Sequence, residues 1–248
     1  MRKILGMLRK ADERFHMIEN GDNIAVGYSG GKDSSLLLYA LTLYKKFSKK
    51  DYTLQAVCVD LGFESYNTDT ISAFTQSLNV PLHIVKTNIA EIVFDIRKEK
   101  NPCSLCSKMR KGALYEKVVQ AGCNKAAFAH HADDAIETLL MSMMYEARLN
   151  TFSPVTWLSR RNITLIRPFV LAREADVEAA VKRQNIPIAK NPCPVDFTTK
   201  RAQSKEIMAY LGECHKNAPD NMLRALVQAD TYNLWDAAAV ASHGKNTQ

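Results

Sequence analysis

Short apolar runs alternate along the chain with longer stretches in which apolar positions recur at helical spacing. Ile4, Leu8, Phe15 and Ile18 follow that spacing and predict a helix over residues 1–20. A polar turn at 19–23 precedes an apolar strand at 24–28, a glycine-containing loop at 29–35 and an apolar helix at 36–47. The next buried strand, 54–60, ends on Asp60, and a helix at 68–78 and a strand at 81–85 follow. A loop carrying Cys103 and Cys106 is expected to lead into a helix over 108–120, then a strand at 125–129 and a long helix at 133–145. A short strand at 164–166 and helices at 174–184 and 201–211 complete the regular pattern.

Strands separated by helices predict an α/β protein, a parallel sheet flanked by helices on both faces. In such sheets ligands sit beyond the carboxyl ends of the strands. The expected organisation is an N-terminal helix (1–20), a catalytic domain (21–216) and a less regular tail (217–248), in which Leu223, Leu226 and Trp235 dock on the core. No internal repeat or low-complexity tract interrupts it.

Composition narrows the class. The chain has 248 residues, 46% of them hydrophobic and 24% charged, enough for a packed core under a soluble surface. The net charge of +7 favours a polyanionic partner, nucleic acid first among them. No run approaches the ~18 apolar residues of a membrane span. The basic start of the chain lacks the apolar core and cleavage site of a secretory signal. A cytoplasmic protein with no membrane partner is expected, in which the six cysteines serve as core, metal or catalytic groups rather than disulfides.

Ser29-Gly30-Gly31-Lys32-Asp33-Ser34-Ser35 follows an apolar strand and opens a helix. Glycines let the backbone approach a ligand, successive amides at a helix N-terminus form an anion site, and Lys32 adds a positive charge. The spacing is not that of a Walker A loop. The string resembles the PP-loop of the ATP-pyrophosphatase superfamily, with its adenine nucleotide alpha hydrolase-like fold. The resemblance implies ATP as substrate, cleaved between its α- and β-phosphates, with residues 29–35 on the pyrophosphate.

Asn101-Pro102-Cys103-Ser104-Leu105-Cys106 holds a C-x-x-C, and the N-P-C tripeptide recurs at Asn191-Pro192-Cys193. A zinc site would need a fourth ligand, for which His83, His130, His131 and His215 are available. Three thiolates also suit a 4Fe–4S cluster with one iron left open to an external sulfide. Cys58 and Cys123 read as core, and Cys214 as half-exposed.

His130-His131-Ala132-Asp133-Asp134 lies where a strand passes into a helix. Acids in a first helical turn cap it, and the same residues can bind Mg²⁺ on a pyrophosphate or orient a base. Asp60 is a similar candidate at its own strand end. Lys108, Arg110, Lys111, Arg148, Arg160, Arg161 and Arg201 are candidates for phosphate contacts with RNA.

Together these strings resemble the TtcA-like tRNA thiolases, which install 2-thiocytidine. The likeness runs through residues 15–22, Cys103-Ser-Leu-Cys106-Ser-Lys-Met-Arg110-Lys-Gly112, His130-His131-Ala-Asp133-Asp134 and Ile166-Arg167-Pro168. It implies Cys103, Cys106 and Cys193 as ligands of a 4Fe–4S cluster, Arg110 beside the cluster, and Asp133 or Asp134 as the catalytic acid. Lys32 is the expected catalytic cation, with Mg²⁺ on the departing pyrophosphate, and Asp60 and His131 are expected near the nucleotide. Implied partners are tRNA, a cysteine desulfurase as sulfur source, and a second copy in a homodimer. Related PP-loop enzymes that make 2-thiouridine or lysidine, and a non-catalytic nucleotide-binding iron–sulfur or zinc protein, are the competing readings.

Overall fold

The computed structural model describes residues 1–63, 66, 68–99, 102–189, 192–193 and 200–228, the last group without the side chains of Lys200 and Arg201. The elements are α1 (Arg2–Phe15), β1 (Asp22–Gly27), α2 (Lys32–Lys45), β2 (Tyr52–Asp60), α3 (Asp69–Ser77) and β3 (Leu82–Lys86). A π-helical turn (Glu91–Ile96) then precedes α4 (Pro102–Gln120), β4 (Lys125–Ala127) and α5 (Ala132–Glu146). The chain continues with β5 (Val155–Leu158), β6 (Ile163–Ile166), α6 (Glu174–Arg183), α7 (Lys200–Cys214) and α8 (Ala218–Val227).

Six strands form one sheet in the order β3-β2-β1-β4-β6-β5, all parallel except the edge strand β5, which runs antiparallel to β6. The expected parallel sheet therefore carries one antiparallel hairpin that the sequence pattern did not disclose. The reason is exposure. Trp157 of β5 is turned outward and its neighbours are half-buried, so no continuous apolar run marks the strand.

The larger core cluster joins α1 (Ile4, Leu8), α2 (Leu36, Leu37, Leu41) and α6 (Val177, Ala180) to one face of the sheet. A second cluster seats α4, through Leu114 and Val118, on the opposite face against Ala25, Val57 and Ala126. α5 packs instead against α7 and α8. The tail is thus helical at 218–227, where an irregular segment was expected, while Trp235 lies outside the described residues.

α1 stops at Phe15 rather than running to residue 20. His16 turns into the left-handed region, and the buried Asp12 carboxylate accepts a hydrogen bond from the Ile18 amide at 2.9 Å. Ile18 is buried through that turn, not through a helical stripe. Among the described residues no helix is long and apolar enough to cross a membrane.

The chain runs β1, β2, β3 outward on one side of β1 and places β4 on the other, so the strand order reverses between β1 and β4. A crevice opens at such a reversal, outside the carboxyl ends of the two strands.

Candidate active site

A cavity of about 520 Å³ fills this crevice. Residues after β1 (Tyr28, Ser29, Gly31, Lys32, Asp33, Ser34) form one end, and residues after β4 (Phe128, Ala129, His130) with Asp134 form another wall. Val57, Val59, Leu61, Phe63 and Tyr66 supply an apolar and aromatic side, and Arg110, Lys111, Leu114 and Pro192 close the far end.

The loop after β1 is shaped by its own hydroxyls. The Ser29 amide donates to Ser34 Oγ at 3.2 Å, the two hydroxyls share a hydrogen bond at 3.1 Å, and Ser34 Oγ donates to the Gly31 carbonyl at 3.1 Å. Gly30 is required twice over. Its φ is +77°, and a Cβ there would lie 2.8 Å from the Ala189 Cβ and 3.0 Å from Ile71. Its carbonyl accepts from the Ala189 amide at 2.9 Å, tying the loop to the segment after α6. α2 begins at Lys32 with Gly31 in the capping position and no side-chain cap, leaving its N-terminus to face an anion. Ser35 is fully buried beneath the loop and, like Gly30, is not part of the cavity lining.

Lys32 lines the cavity and is held at its rim. Its ammonium donates to Asp33 Oδ1 and to Glu174 Oε1, both at 2.9 Å. Burial pulls the Lys32 pKa down, but the two carboxylates outweigh it and the net shift is upward.

The two adjacent acids of α5 have different surroundings. Asp133 is buried and engaged by Arg173, whose Nη2 donates to it at 2.8 Å and Nε at 3.1 Å, while the Glu174 amide donates at 2.6 Å. It lies away from the cavity. Asp134 lines the cavity and closes a capping box with His131: the His131 amide donates to Asp134 Oδ2 at 2.9 Å, and the Asp134 amide to His131 Nδ1 at 3.3 Å.

His131 is buried in that cap, and it is His130 that reaches the cavity. The His130 ring packs between Phe128 and Phe152, with centroids 5.9 and 5.0 Å away. Asp60 turns back on its own loop, accepting from the Gly62 amide at 2.9 Å, and does not line the cavity.

Cys103 and Cys106 lie within α4, which starts at Pro102 instead of at residue 108. The proline at the first helical position explains the earlier start, since its missing N–H is no loss there. Residues three and four apart share a helix face, so Cys103, Cys106 and Arg110 form one stripe. Arg110 lines the cavity, as does Pro192, the neighbour of Cys193. Burial pushes the Cys106 thiol up. The Arg110 guanidinium opposes that shift, and the Cys193 and Cys103 thiols add to it, so both lie within electrostatic reach of Cys106. None of the three is in a disulfide.

Among the described residues no three His, Cys, Asp or Glu side chains form a cage for a single metal ion. His83, one of the possible fourth zinc ligands, lies on β3 and bonds Gln55 at 2.7 Å. Cys58 and Cys123 are buried, as expected, and Cys214 is exposed at the end of α7. Lys108, Arg148, Arg160 and Arg161 are exposed, and the Arg201 side chain lies outside the described residues. Sequence pattern alone does not disclose Glu174, Arg173 and Lys205, whose importance comes from ion pairs across distant helices, or the aromatic lining by Phe63, Tyr66 and Phe128.

A PP-loop domain family model matches residues 5–205. The tRNA-cytidine(32) 2-sulfurtransferase of Pelobacter propionicus is 35% identical over 95% of this chain and 88% of its own. That of Syntrophotalea carbinolica is 34% identical over 96% of this chain and 93% of its own. Among solved structures, the U34-tRNA thiolase NcsA from Methanococcus maripaludis with its 4Fe–4S cluster superposes with a TM-score of 0.74, at 24% identity, over 90% of this chain and 76% of that one. That last likeness bears on the fold. Family model and relatives agree with the loop geometry: the chain belongs to the PP-loop family and, within it, to the group of the tRNA-cytidine(32) 2-sulfurtransferases.

Proposed function

We propose that this protein is an ATP-dependent tRNA thiolase that adenylates the C2 oxygen of a cytidine and replaces it with sulfur. The observation that carries the reading is the layout of one cavity. A phosphate-binding loop forms one end, and Arg110, on the same helical stripe as Cys103 and Cys106, stands at the other.

The C2 oxygen of a cytosine is a poor leaving group. Its attack on the α-phosphate of ATP expels pyrophosphate and attaches AMP, which departs readily with that oxygen. The amides at the start of α2 and the Lys32 ammonium face the departing pyrophosphate and neutralise its charge, as preorganised electrostatic catalysis requires. Mg²⁺ on the phosphates would add to that neutralisation. Asp134 is the acid of this site, because its carboxylate lines the cavity, whereas that of Asp133 is engaged by Arg173. Arg110 holds the adenylated base through its AMP phosphate.

Cys103, Cys106 and Cys193 would hold a 4Fe–4S cluster: three soft thiols, none in a disulfide, on the side of the cavity lined by Arg110 and Pro192 suit it. When bound, the cluster would supply a Lewis-acidic iron able to carry sulfide to the activated carbon, and a cysteine desulfurase together with a two-electron reductant would supply that sulfide. The exposed Lys108, Arg148, Arg160 and Arg161 meet tRNA phosphates.

Mass spectrometry of tRNA nucleosides from cells with and without the gene tests this. Selective loss of 2-thiocytidine is expected. Loss of another thionucleoside would change the target base, and unchanged thionucleosides in cells with no second copy would overturn thiolation.

A further inference from the structure

Lys32 does not wait unpaired for its phosphate. Two of its three ammonium hydrogens go to Asp33 and Glu174, each at 2.9 Å, and Glu178 stands 3.8 Å away. Glu174 lies at the start of α6, far from the loop in sequence, and its carboxylate is itself doubly engaged. Lys205 of α7 donates to Glu174 Oε1 at 3.1 Å and to Oε2 at 3.0 Å. The carboxylate therefore bridges two lysines. One lines the cavity, and the other stands outside it beside Glu137, in a separate polar recess.

The anchor of this bridge is rigid. The Glu174 amide is held by the Asp133 carboxylate at 2.6 Å. The preceding Arg173 grips Asp133 and also donates to Asp220 of α8 at 2.6 Å. Glu174 is thus pinned to α5 and α8 while its partner Lys32 sits on the rim of the binding loop, with 29% of its side chain exposed. An incoming pyrophosphate must either take Lys32 from Glu174 or place its charge beside that carboxylate.

We propose that Glu174 is a positioning residue that exchanges Lys32 with the nucleotide's pyrophosphate, and that Lys205 is the counter-charge that makes the exchange reversible. With ATP bound, Lys32 turns to the phosphates, and Lys205, already bonded to both Glu174 oxygens, keeps the half-buried carboxylate neutralised. After adenylation, Glu174 reclaims Lys32 and helps pyrophosphate leave. This rests on the reading of the loop as a pyrophosphate site. It adds a competitor for Lys32 and so governs affinity for the product.

Glu174 and Lys205 make the idea testable, because their removal acts with opposite sign. In Glu174→Gln, Lys32 loses the competitor held by α6 and keeps only its neighbour Asp33 at bonding distance, so pyrophosphate binds more tightly, by about fivefold. In Lys205→Met, Glu174 has only Lys32 to neutralise it and holds it harder, so pyrophosphate binds more weakly by a similar factor. Lys205→Arg should restore wild-type affinity. Isothermal titration of the purified full-length variants with Mg²⁺–pyrophosphate measures this, with thermal unfolding recorded beside it. Loss of affinity in both variants, in step with lowered melting temperature, would show a merely structural bridge and overturn the proposal. Unchanged affinity in both would overturn it equally. Failure of the wild-type protein to bind either ATP or pyrophosphate would overturn the PP-loop reading itself, which is a different outcome from either of these.

Discussion

At the phosphate end of the cavity, the loop after β1 takes its shape from neighbours in sequence: Ser29, Gly31 and Ser34 bond one another, and α2 continues directly from them. At the thiol end, Cys103 and Cys106 come from the first turns of α4, and Cys193 from beyond α6, so distant parts of the chain must meet. The backbone of the phosphate end is therefore largely a local construction, fastened at Gly30 to Ala189 and at Lys32 to Glu174. The thiol end depends on how two far-apart segments are brought together, and a bridging group of iron and sulfide would supply that link. On the proposed function, chemistry is divided the same way, with activation at one end and sulfur delivery at the other.

The largest expected effect breaks the two ends apart. Replacing Cys103, Cys106 or Cys193 with alanine should abolish thiolation, while ATP binding and ATP-dependent AMP transfer to tRNA persist. Lys32→Ala should reduce both, adenylation by about a hundredfold, as for loss of one preorganised oxyanion donor. Nucleoside mass spectrometry and release of labelled pyrophosphate read the two outcomes separately. Equal loss of both activities in the cysteine variants would show that the two ends are one structural unit.

Next comes the pair of adjacent acids. Asp134→Asn keeps the oxygen that accepts the His131 amide and removes the charge facing the cavity. Adenylation should fall by about a hundredfold, with stability changed by less than about 0.5 kcal/mol. Asp133→Ala removes the acceptor of Arg173 and of the Glu174 amide, and should cost about 2 kcal/mol in urea unfolding. If Asp133→Asn, which keeps the shape, abolished adenylation without destabilising the fold, the assignment of the two roles would have to be reversed.

A smaller effect tests the local character of the loop. Gly30→Ala must adopt a φ near +77° and press on Ala189 and Ile71, which should destabilise the fold by about 1–3 kcal/mol and weaken ATP binding with it. Thermal unfolding with and without ATP measures both. An alanine tolerated without loss would mean that the loop is softer than its hydrogen bonds indicate.

The same contrast explains what was legible in the sequence. The loop at 29–35 was readable because strand, glycine turn and helix start are contiguous, and the parallel layers followed from the alternation of elements. The cysteines could be named by spacing, but their place on a helix turned on the proline at its first position rather than on apolar periodicity. The adjacent acids Asp133 and Asp134 look alike in sequence, and only the arrival of Arg173 from another helix distinguishes them. Neither His130's place in the cavity wall nor Glu174's bridge between two lysines leaves any periodic trace. Such contacts join segments whose separation the sequence does not encode locally.

The smallest effect is a pH dependence at the phosphate end. Burial raises the Glu174 carboxyl, but hydrogen bonds from Lys32 and Lys205 outweigh it and hold it at about 2, below the ordinary 4.5. A carboxyl whose pKa is lower when folded contributes stability that is complete above about pH 4.5 and is lost as pH falls toward 2, because the unfolded chain binds the proton first. Wild-type protein should therefore lose stability between pH 5 and pH 3 more steeply than Glu174→Gln, by about 1 kcal/mol for a pair at the edge of solvent. Urea midpoints at the two pH values give the difference. The cysteine variants should keep the wild-type slope, since the bridge lies at the other end of the cavity. A cysteine variant that flattened the slope as much as Glu174→Gln would mean that the ends communicate through the segment joining α6 to α7.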